Sequence, residues 1–376
     1  MNNNVSSFIK NCMKICVILG TRPEIIKMQP IISEIIKRKH QLVFIHTGQH
    51  FDSMMSDIFL KDLKMDTPDY TLKVDTKTQG IQTGQIISSS EAILLDEKPD
   101  LVLVQGDTNS ALGSSIAAVK INIPIGHVEA GCRSYDLTMA EEINRVLISD
   151  IASFNFAPTP NCVTNLKKEG IASKKIFLTG HPLVDLLSSI NIDRIESILP
   201  SIGYAQEDYY LLTLHRRENI ETEKRLVEIL SAMDALSQKT RIIFPCHPHT
   251  LKQINKFNAA KYLKNIKTIN TVGYFESLSL IKHSKIVLSD SGGIQQECAI
   301  LGTPCVTLRE VTEWIETVEH GTNFLGGYRS NGIIHALLTV ENDYDEIKIK
   351  SKNGKNLFGI PGASKRILDI IEHTSS

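Results

Sequence analysis

The sequence of 376 residues lacks the features that most quickly place a chain in a function class. Its net charge is only -1, from 41 basic and 42 acidic residues, whereas proteins that bind nucleic acid normally carry a basic footprint. No apolar run approaches the roughly 18 residues that cross a membrane, and the polar first residues do not form the apolar core of a signal peptide. We therefore expect neither nucleic acid nor a membrane as a partner.

The cysteines show no pairing pattern. They are seven in number, scattered along the chain, and without a C-x-x-C pair, so neither a disulfide framework nor a zinc site is indicated. Two histidine pairs, His46 with His50 and His247 with His249, have no carboxylate or cysteine at ligand spacing. The sequence therefore predicts a protein of the reducing cytoplasm that uses no metal.

The sequence does contain many apolar runs rich in Ile and Val, separated by amphipathic stretches. Strands are predicted at 15–19, 42–46, 101–104, 123–128 and 154–157, and again at 210–214, 242–245, 266–272, 286–289 and 305–308. Continuous apolar strands between helices are typical of parallel sheets covered on both faces, and the length favours two domains. We predict an α/β protein of two doubly wound, Rossmann-like domains that face a central cleft.

Breaks in the regular pattern predict the domain boundaries. Pro182, Pro200 and Gly203 interrupt regular structure between the two series of strands, so the hinge is expected there. We expect a disordered extension at 1–12, an N-terminal domain at 13–182, a C-terminal nucleotide-binding domain at 183–361 and a final helix within 362–376. Apolar residues at helical spacing predict that helix, which could pack back on the N-terminal domain or on the other one.

The first predicted strand ends in a turn that suits an anion. Gly20 closes the strand, and Arg22 and Lys27 lie near the start of the helix that follows. Free backbone N–H groups and the helix dipole already favour anions at such a position. The turn predicts a grip on phosphate or carboxylate, with a capped helix and surface cations as the alternative.

A similar turn follows the predicted strand at 286–289. Ser291, Gly292 and Gly293 stand where a helix begins, and glycine lets backbone amides approach a pyrophosphate closely. A plain helix cap is the alternative, since serine is common at that position. Because the arrangement recurs in both domains, we predict an enzyme of phosphorylated, nucleotide-linked substrates.

Several carboxylates stand at or just beyond strand ends of the first domain: Asp107, Glu129, Glu141 and Glu142. In a semi-enclosed site such groups can act as general acid and base. Ion pairs with Arg133 and Arg145 are the alternative. We favour the ion pair for Glu142, and acid–base chemistry for Asp107 and Glu129.

Three further side chains have a position of interest. His215 follows the first strand of the second domain, where it mirrors Arg22 and could donate to a phosphate or transfer a proton. Trp314, the only tryptophan, follows the last predicted strand, and both cleft lining and core packing stay open for it. Cys132 has no adjoining base and is expected to be a buried structural thiol.

Seven segments occur in the order G-T-R-P-E-I-I-K, T-G-Q-H, Q-G-D-T-N-S, H-V-E-A-G-C-R-S, E-E-I-N-R, L-H-R-R-E-N and S-D-S-G-G-I-Q-Q-E. From about Met13 to the C-terminus, the chain closely resembles the non-hydrolysing UDP-N-acetylglucosamine 2-epimerase family. The resemblance implies the two-domain fold of B-type glycosyltransferases, no cofactor and a homodimer. It also implies interconversion of UDP-N-acetylglucosamine and UDP-N-acetylmannosamine through a glycal, for polysaccharide synthesis.

The resemblance also implies roles for residues at matching positions. The catalytic carboxylates would be Asp107, Glu129 and Glu141, and the essential histidine His215. Nucleotide or substrate contacts would be Arg22, Lys27, Arg145, Ser291, Gly292, Gly293 and Glu297, the last of these toward the ribose hydroxyls. Specificity is expected to involve Gln49, His50, Ser277 and Trp314.

Departures from the family pattern concern the substrate more than the reaction. Many members have arginine where this chain has Trp314, and the T-E-W form also occurs in relatives that act on UDP-2,3-diacetamido-2,3-dideoxy-glucuronate. Ser277 stands where an aromatic residue often supports uracil. An epimerase of the diacetamido substrate is therefore the alternative function, followed by a glycosyltransferase of the same fold.

Overall fold

The computed structural model describes residues 12–49, 60, 63, 65–75, 77–192, 195, 198–206 and 208–374. The extension expected at 1–12 lies outside the described residues, apart from Cys12, and so does His50. The chain forms two compact units, the first reaching Leu186 and resuming at Ile360, and the second spanning Leu187–Gly359.

The first unit is built on a parallel sheet whose strands, in the described residues, are β1 (Lys14–Leu19), β2 (Gln41–His46), β3 (Tyr70–Thr71), β4 (Leu101–Gln105), β5 (Ile125–Val128), β6 (Phe154–Ala157) and β7 (Ile176–Leu178). Their order in the sheet is β3-β2-β1-β4-β5-β6-β7. β5 begins later than the predicted 123–128 because Pro124 has no N–H to give to the ladder. The strands β3 and β7 were not predicted.

Helices connect these strands: α1 (Arg22–Lys37), α2 (Gln79–Glu97), α3 (Asn109–Lys120), α4 (Ala140–Ile151), α5 (Pro160–Lys168) and α6 (Pro182–Ser189). Their starts follow local rules. Pro23 lies in the first turn of α1, where its missing N–H costs nothing. The Thr108 hydroxyl accepts a hydrogen bond from the Ala111 N–H at 3.0 Å and so caps α3.

The second unit repeats the plan with β8 (Tyr209–Thr213), β9 (Arg241–Pro245), β10 (Lys267–Ile269), β11 (Ile286–Ser289), β12 (Cys305–Thr307) and β13 (Asn323–Leu325). The strand order is β10-β9-β8-β11-β12-β13. Its helices are α7 (Leu199–Ile202), α8 (Arg217–Ile220), α9 (Glu223–Ser237), α10 (Pro248–Lys256), α11 (Tyr274–His283), α12 (Gly292–Leu301), α13 (Ile315–Glu319), α14 (Ser330–Asn342) and α15 (Tyr344–Asn353). The second sheet shows the 3-2-1-4-5-6 order of Rossmann folds and the first shows the same order with a seventh strand added, so the predicted fold class of two Rossmann-like domains is confirmed.

The last helix, α16 (Ala363–Thr374), belongs to the first unit. Arg38 Nη1, just after α1, lies 2.8 Å from Asp369 Oδ1 in α16. The Asp185 carboxylate accepts hydrogen bonds from the backbone N–H groups of Gly362 at 2.6 Å and Ser364 at 2.8 Å, which anchors the start of the helix. Of the helices that the structure describes, none has the length and hydrophobicity that crossing a bilayer requires.

Candidate active site

Glu129 lies at the centre of a buried cluster just past the end of β5. Its Oε2 atom is 2.6 Å from Lys27 Nζ, 2.7 Å from Gln105 Nε2 and 2.7 Å from His181 Nε2. Burial alone would raise the pKa of Glu129, but the Lys27 ammonium and the hydrogen bond from His181 lower it to about 2. Glu129 is therefore a carboxylate at neutral pH, and Lys27 is paired with it.

The backbone of Glu129 has an uncommon conformation. Its φ of 70° lies in the left-handed region, which glycine adopts far more readily than glutamate. Backbone strain of this kind costs on the order of 1–3 kcal/mol and is concentrated at functional sites. The fold thus holds this carboxylate in place at a cost in stability.

Asp107 lies two residues past the end of β4 and pairs with Arg145 of α4. Arg145 Nη1 also lies 2.9 Å from Glu142 Oε2, so the ion pair favoured for Glu142 is confirmed. The Arg145 side chain is only 4% exposed and lies between the two carboxylates, so it holds both of them. Asp107 forms the ion pair with Arg145 that was the alternative for it, 22% of its side chain stays exposed, and its acid–base role stays a prediction.

Asn144 joins α4, whose first turn carries Glu141, to the loop that carries Asp107. Glu141 is half-buried in the first turn of α4. One turn later, Asn144 Nδ2 donates to the Asp107 carbonyl oxygen at 2.8 Å and to Asn109 Oδ1 at 3.2 Å. Sequence reasoning missed Asn144, although it is part of the E-E-I-N-R segment that also contains Glu141.

Glu24 is a second residue that sequence reasoning missed. It is 1% exposed in the first turn of α1 and accepts hydrogen bonds from the Gly20 N–H at 3.0 Å and Thr108 Oγ1 at 2.7 Å. Burial raises the pKa of Glu24 to about 7, partly offset by these hydrogen bonds, and the charge of Asp107 adds to the rise. Glu24 thereby links the turn that carries Arg22 to the turn that carries Asp107.

The turn after β1 is close to α3. Gly20 must be glycine here, because a Cβ would lie 1.9 Å from Ser110 Oγ. Gln49, which follows β2, accepts hydrogen bonds from the Ser110 N–H at 2.9 Å and from Ser110 Oγ at 2.6 Å. Arg22 is the first residue of α1 and is half-buried. The ends of β1, β2 and β4 are therefore joined by hydrogen bonds in one polar region.

In the second unit, Asp290 fixes the loop that carries His215. The fully buried carboxylate accepts hydrogen bonds from the backbone N–H groups of His215 at 3.2 Å and Arg216 at 3.0 Å. His215 Nδ1 lies 3.2 Å from Asp290 Oδ1, while 53% of the His215 side chain is exposed. Burial would raise the pKa of Asp290, but His215 and these donors lower it. The Asp290 carboxylate thus orients the His215 ring through Nδ1.

The turn after β11 forms the start of α12. Ser291 caps the helix, because its Oγ lies 3.5 Å from the Ile294 N–H. A Cβ on Gly292 would lie 2.2 Å from Glu313 Oε1, so packing requires glycine there. A Cβ on Gly293 would meet nothing closer than Ser291 Oγ at 3.8 Å. The first turn of α12 therefore has open space beside Gly293, where backbone N–H groups lack partners within the helix.

A sequence model of the UDP-N-acetylglucosamine 2-epimerase family matches residues 33–372. The chain belongs to this family. A UDP-N-acetylglucosamine 2-epimerase of Methanocaldococcus jannaschii is 43% identical over 96% of this chain and 99% of its own. Its crystal structure in complex with UDP-GlcNAc and UDP matches with a TM-score of 0.88, covering 96% of this chain and 100% of that chain at 42% identity.

A relative named for the alternative substrate also matches the chain. A UDP-2,3-diacetamido-2,3-dideoxy-D-glucuronate 2-epimerase of Pseudomonas aeruginosa is 39% identical over 87% of this chain and 92% of its own. Both relatives are epimerases, so the predicted enzyme class, an isomerase, is confirmed for this member of the 2-epimerase family.

In this 2-epimerase family member, Trp314 is part of the core. Its side chain is 1% exposed and packs edge to face on Phe358, with ring centroids 5.2 Å apart. Of the two positions left open for Trp314, lining of the cleft and packing in the core, the structure shows the second, because the surrounding side chains cover the indole. Its Nε1 would lie 3.4 Å from a Cβ on Gly292, so Trp314 supports the turn at the start of α12.

Glu297 and Ser277 lie on neighbouring helices of the second unit. Glu297, in α12, is 8% exposed and lies beside Tyr274 of α11. Burial and the Glu297 carboxylate raise the pKa of Tyr274 well above its usual range, so the phenol stays protonated. Ser277 is half-buried in α11. Tyr274 was missed by sequence reasoning, and its place at the start of α11 gave no signal of a polar role.

Proposed function

We propose that the chain interconverts UDP-N-acetylglucosamine and UDP-N-acetylmannosamine without net hydrolysis. The observation that carries the proposal is the cluster around Glu129, in which a buried carboxylate is kept ionised at a strand end and lies in the same unit as Asp107 and Glu141. The M. jannaschii relative, whose structure contains UDP-GlcNAc, supports the choice of substrate.

The proposed reaction needs groups that accept and deliver a proton at carbon 2. One carboxylate takes that proton, the carbon 1–oxygen bond breaks with its electron pair leaving on UDP, and a carbon 1–carbon 2 double bond forms. UDP then adds back to carbon 1 while a proton reaches the other face of carbon 2. Asp107, Glu129 and Glu141 are the proposed acid–base groups, and Arg145 holds Asp107 in place.

UDP has to be retained while it is detached from the sugar. We assign this to the first turn of α12, where Gly293 presents its backbone N–H group beside the Ser291 side chain that caps the helix, and to the exposed ring of His215. Glu297 is the proposed acceptor for the ribose hydroxyls. In the first unit, Arg22 remains the proposed cation for the diphosphate, whereas Lys27 is assigned to Glu129.

Deuterium incorporation tests this function. We expect the pure protein, incubated with UDP-N-acetylglucosamine in deuterated water, to form UDP-N-acetylmannosamine and to place deuterium at carbon 2 in both sugars. Proton NMR follows the carbon 2 signal, and chromatography detects free sugar. Absence of both exchange and the manno product would refute the proposal, and free N-acetylmannosamine with UDP would indicate a hydrolysing enzyme.

The diacetamido-glucuronate nucleotide is the second candidate substrate. The T-E-W segment at 312–314 and the Pseudomonas aeruginosa relative favour it. Because Trp314 is buried, a preference for the diacetamido-glucuronate nucleotide would have to arise through the residues packed around Trp314. A higher kcat/KM for that nucleotide than for UDP-N-acetylglucosamine would select the second candidate.

We also propose a homodimer located in the cytoplasm, where it supplies polysaccharide synthesis. All seven cysteines are free thiols, which fits a reducing compartment. One face of α4 exposes Ile143, Val146 and Leu147, and Tyr135 and Leu137 before it are 63% and 67% exposed. Contiguous apolar surface of this kind commonly marks a contact between subunits.

Light scattering on a sizing column is expected to give the mass of two chains for the wild type. For the Leu147→Lys variant, the expected mass is that of one chain. Leu147 is 46% exposed, so a lysine there disturbs the proposed contact and leaves the core intact. Leu338→Lys is the matched control, since Leu338 is equally exposed on α14 of the other unit. A dimer that survives the first change, or a monomeric wild type, would contradict this assignment.

A further inference from the structure

His181 is a buried histidine whose tautomer is fixed by the backbone. It lies between β7 and α6, 1% exposed, and its Nδ1 accepts a hydrogen bond from the Leu183 N–H at 3.0 Å. Since Nδ1 is the acceptor, the neutral ring carries its proton on Nε2. That nitrogen lies 2.7 Å from Glu129 Oε2, so His181 donates to the carboxylate.

The three donors around Glu129 all point to the same oxygen. Lys27, Gln105 and His181 each place a nitrogen within 2.7 Å of Oε2. In the part of the chain that the structure describes, Oε1 receives no hydrogen bond. The Glu129 carboxylate therefore cannot rotate without breaking three hydrogen bonds at once. Two of these come from the uncharged donors Gln105 and His181, whose N–H directions fix the orientation of the carboxylate.

We propose that His181 is a positioning residue, which fixes the Glu129 carboxylate so that Oε1 alone is presented to the substrate. The inference rests on the proposed function, in which Glu129 is an acid–base group. His181 itself touches no reacting atom. Its effect passes through the orientation of Glu129, where small errors of placement cost up to about 100-fold in rate.

Two substitutions separate the two hydrogen bonds of the ring. His181→Asn keeps an acceptor near the Nδ1 position, so the bond from Leu183 and the start of α6 are retained, but its amide is too short to reach Glu129. His181→Gln keeps a donor near the Nε2 position and loses the acceptor for Leu183. The two variants are therefore matched controls for each other.

We expect His181→Asn to lower kcat by about 10- to 100-fold, with KM and thermal stability near those of the wild type. We expect His181→Gln to retain most of kcat while its melting temperature falls by about 2–4 °C. In His181→Asn, the acid limb of the kcat/KM profile should move to higher pH, because a carboxylate with fewer donors is protonated more readily.

The same changes in a Glu129→Gln background complete the test. There, His181→Asn should have no further effect, because the group that it positions is gone. The inference would be overturned if the losses of kcat from His181→Asn and Glu129→Gln multiplied in the double variant. It would also be overturned if His181→Gln were less active than His181→Asn. Wild-type kinetics in His181→Asn would overturn it as well. A wild type without any carbon 2 exchange would instead refute the proposed function, so the two failures can be distinguished.

Discussion

Replacing Glu129 by glutamine is expected to lower kcat by at least about 100-fold while UDP still binds. Glutamine has nearly the same shape, but the donors from Lys27, Gln105 and His181 all require an oxygen at the Oε2 position. The amide NH2 group is therefore forced to the Oε1 position. A donor then stands where the proton of carbon 2 has to be accepted. Rates by NMR and UDP titration calorimetry measure the two parts of this prediction.

The control for Glu129→Gln is the same chemical change at another ion pair of the first unit. The Glu169 carboxylate accepts two hydrogen bonds of 2.8 Å, from Nε and Nη2 of Arg133. No catalytic role is proposed for Glu169. Glu169→Gln should stay within about threefold of the wild-type rate. Because Glu129→Gln leaves the buried Lys27 ammonium without its carboxylate, thermal melting has to be recorded for both variants. Wild-type turnover in Glu129→Gln would remove Glu129 from the acid–base groups.

The variant Gly293→Ala is expected to weaken UDP binding by about 10- to 100-fold without loss of stability. The nearest atom to the new methyl group would be Ser291 Oγ at 3.8 Å, so the folded chain has room for it. Alanine is also a better helix residue than glycine by about 1 kcal/mol. The methyl group would occupy the space beside the first turn of α12 that phosphate oxygens need in order to reach the backbone N–H groups.

Calorimetry with UDP and thermal melting measure this prediction. Gly84→Ala is the matched control, since Gly84 lies in α2 of the other unit and a Cβ there meets nothing within 4 Å. It should change stability in the same direction and leave the affinity for UDP unchanged. An unaltered UDP affinity in Gly293→Ala would show that the nucleotide does not approach this turn.

The long strands could be predicted because they are buried on both faces. In β1, every residue from Ile15 to Leu19 is fully buried, so the apolar run is continuous and easily recognised. Three of the four edge strands could not be predicted in this way, whereas the edge strand β10 lies within the predicted 266–272. β3 has two residues and β7 and β13 have three each, partly exposed, which is too little for any periodicity.

The site could be predicted only as far as strand ends are visible in sequence. Asp107, Glu129 and His215 each follow a recognisable strand. The contact between His181 and Glu129 joins residues 52 positions apart, and it depends on the order β5-β6-β7, which brings the ends of these strands to one edge. Because β7 was not recognised, nothing in the sequence placed His181 beside Glu129. Recognition of β7 would have been the missing signal.

The return of α16 to the first unit has a consequence for the order in which the protein forms. Ile367, Leu368 and Ile371 of this helix are fully buried, so the first unit lacks part of its core until α16 has been synthesised. The ribosome makes all of 187–359 in between, which takes roughly 9 to 35 s at about 5–20 residues per second. The second unit, although later in the chain, is therefore the first that can be completed during synthesis.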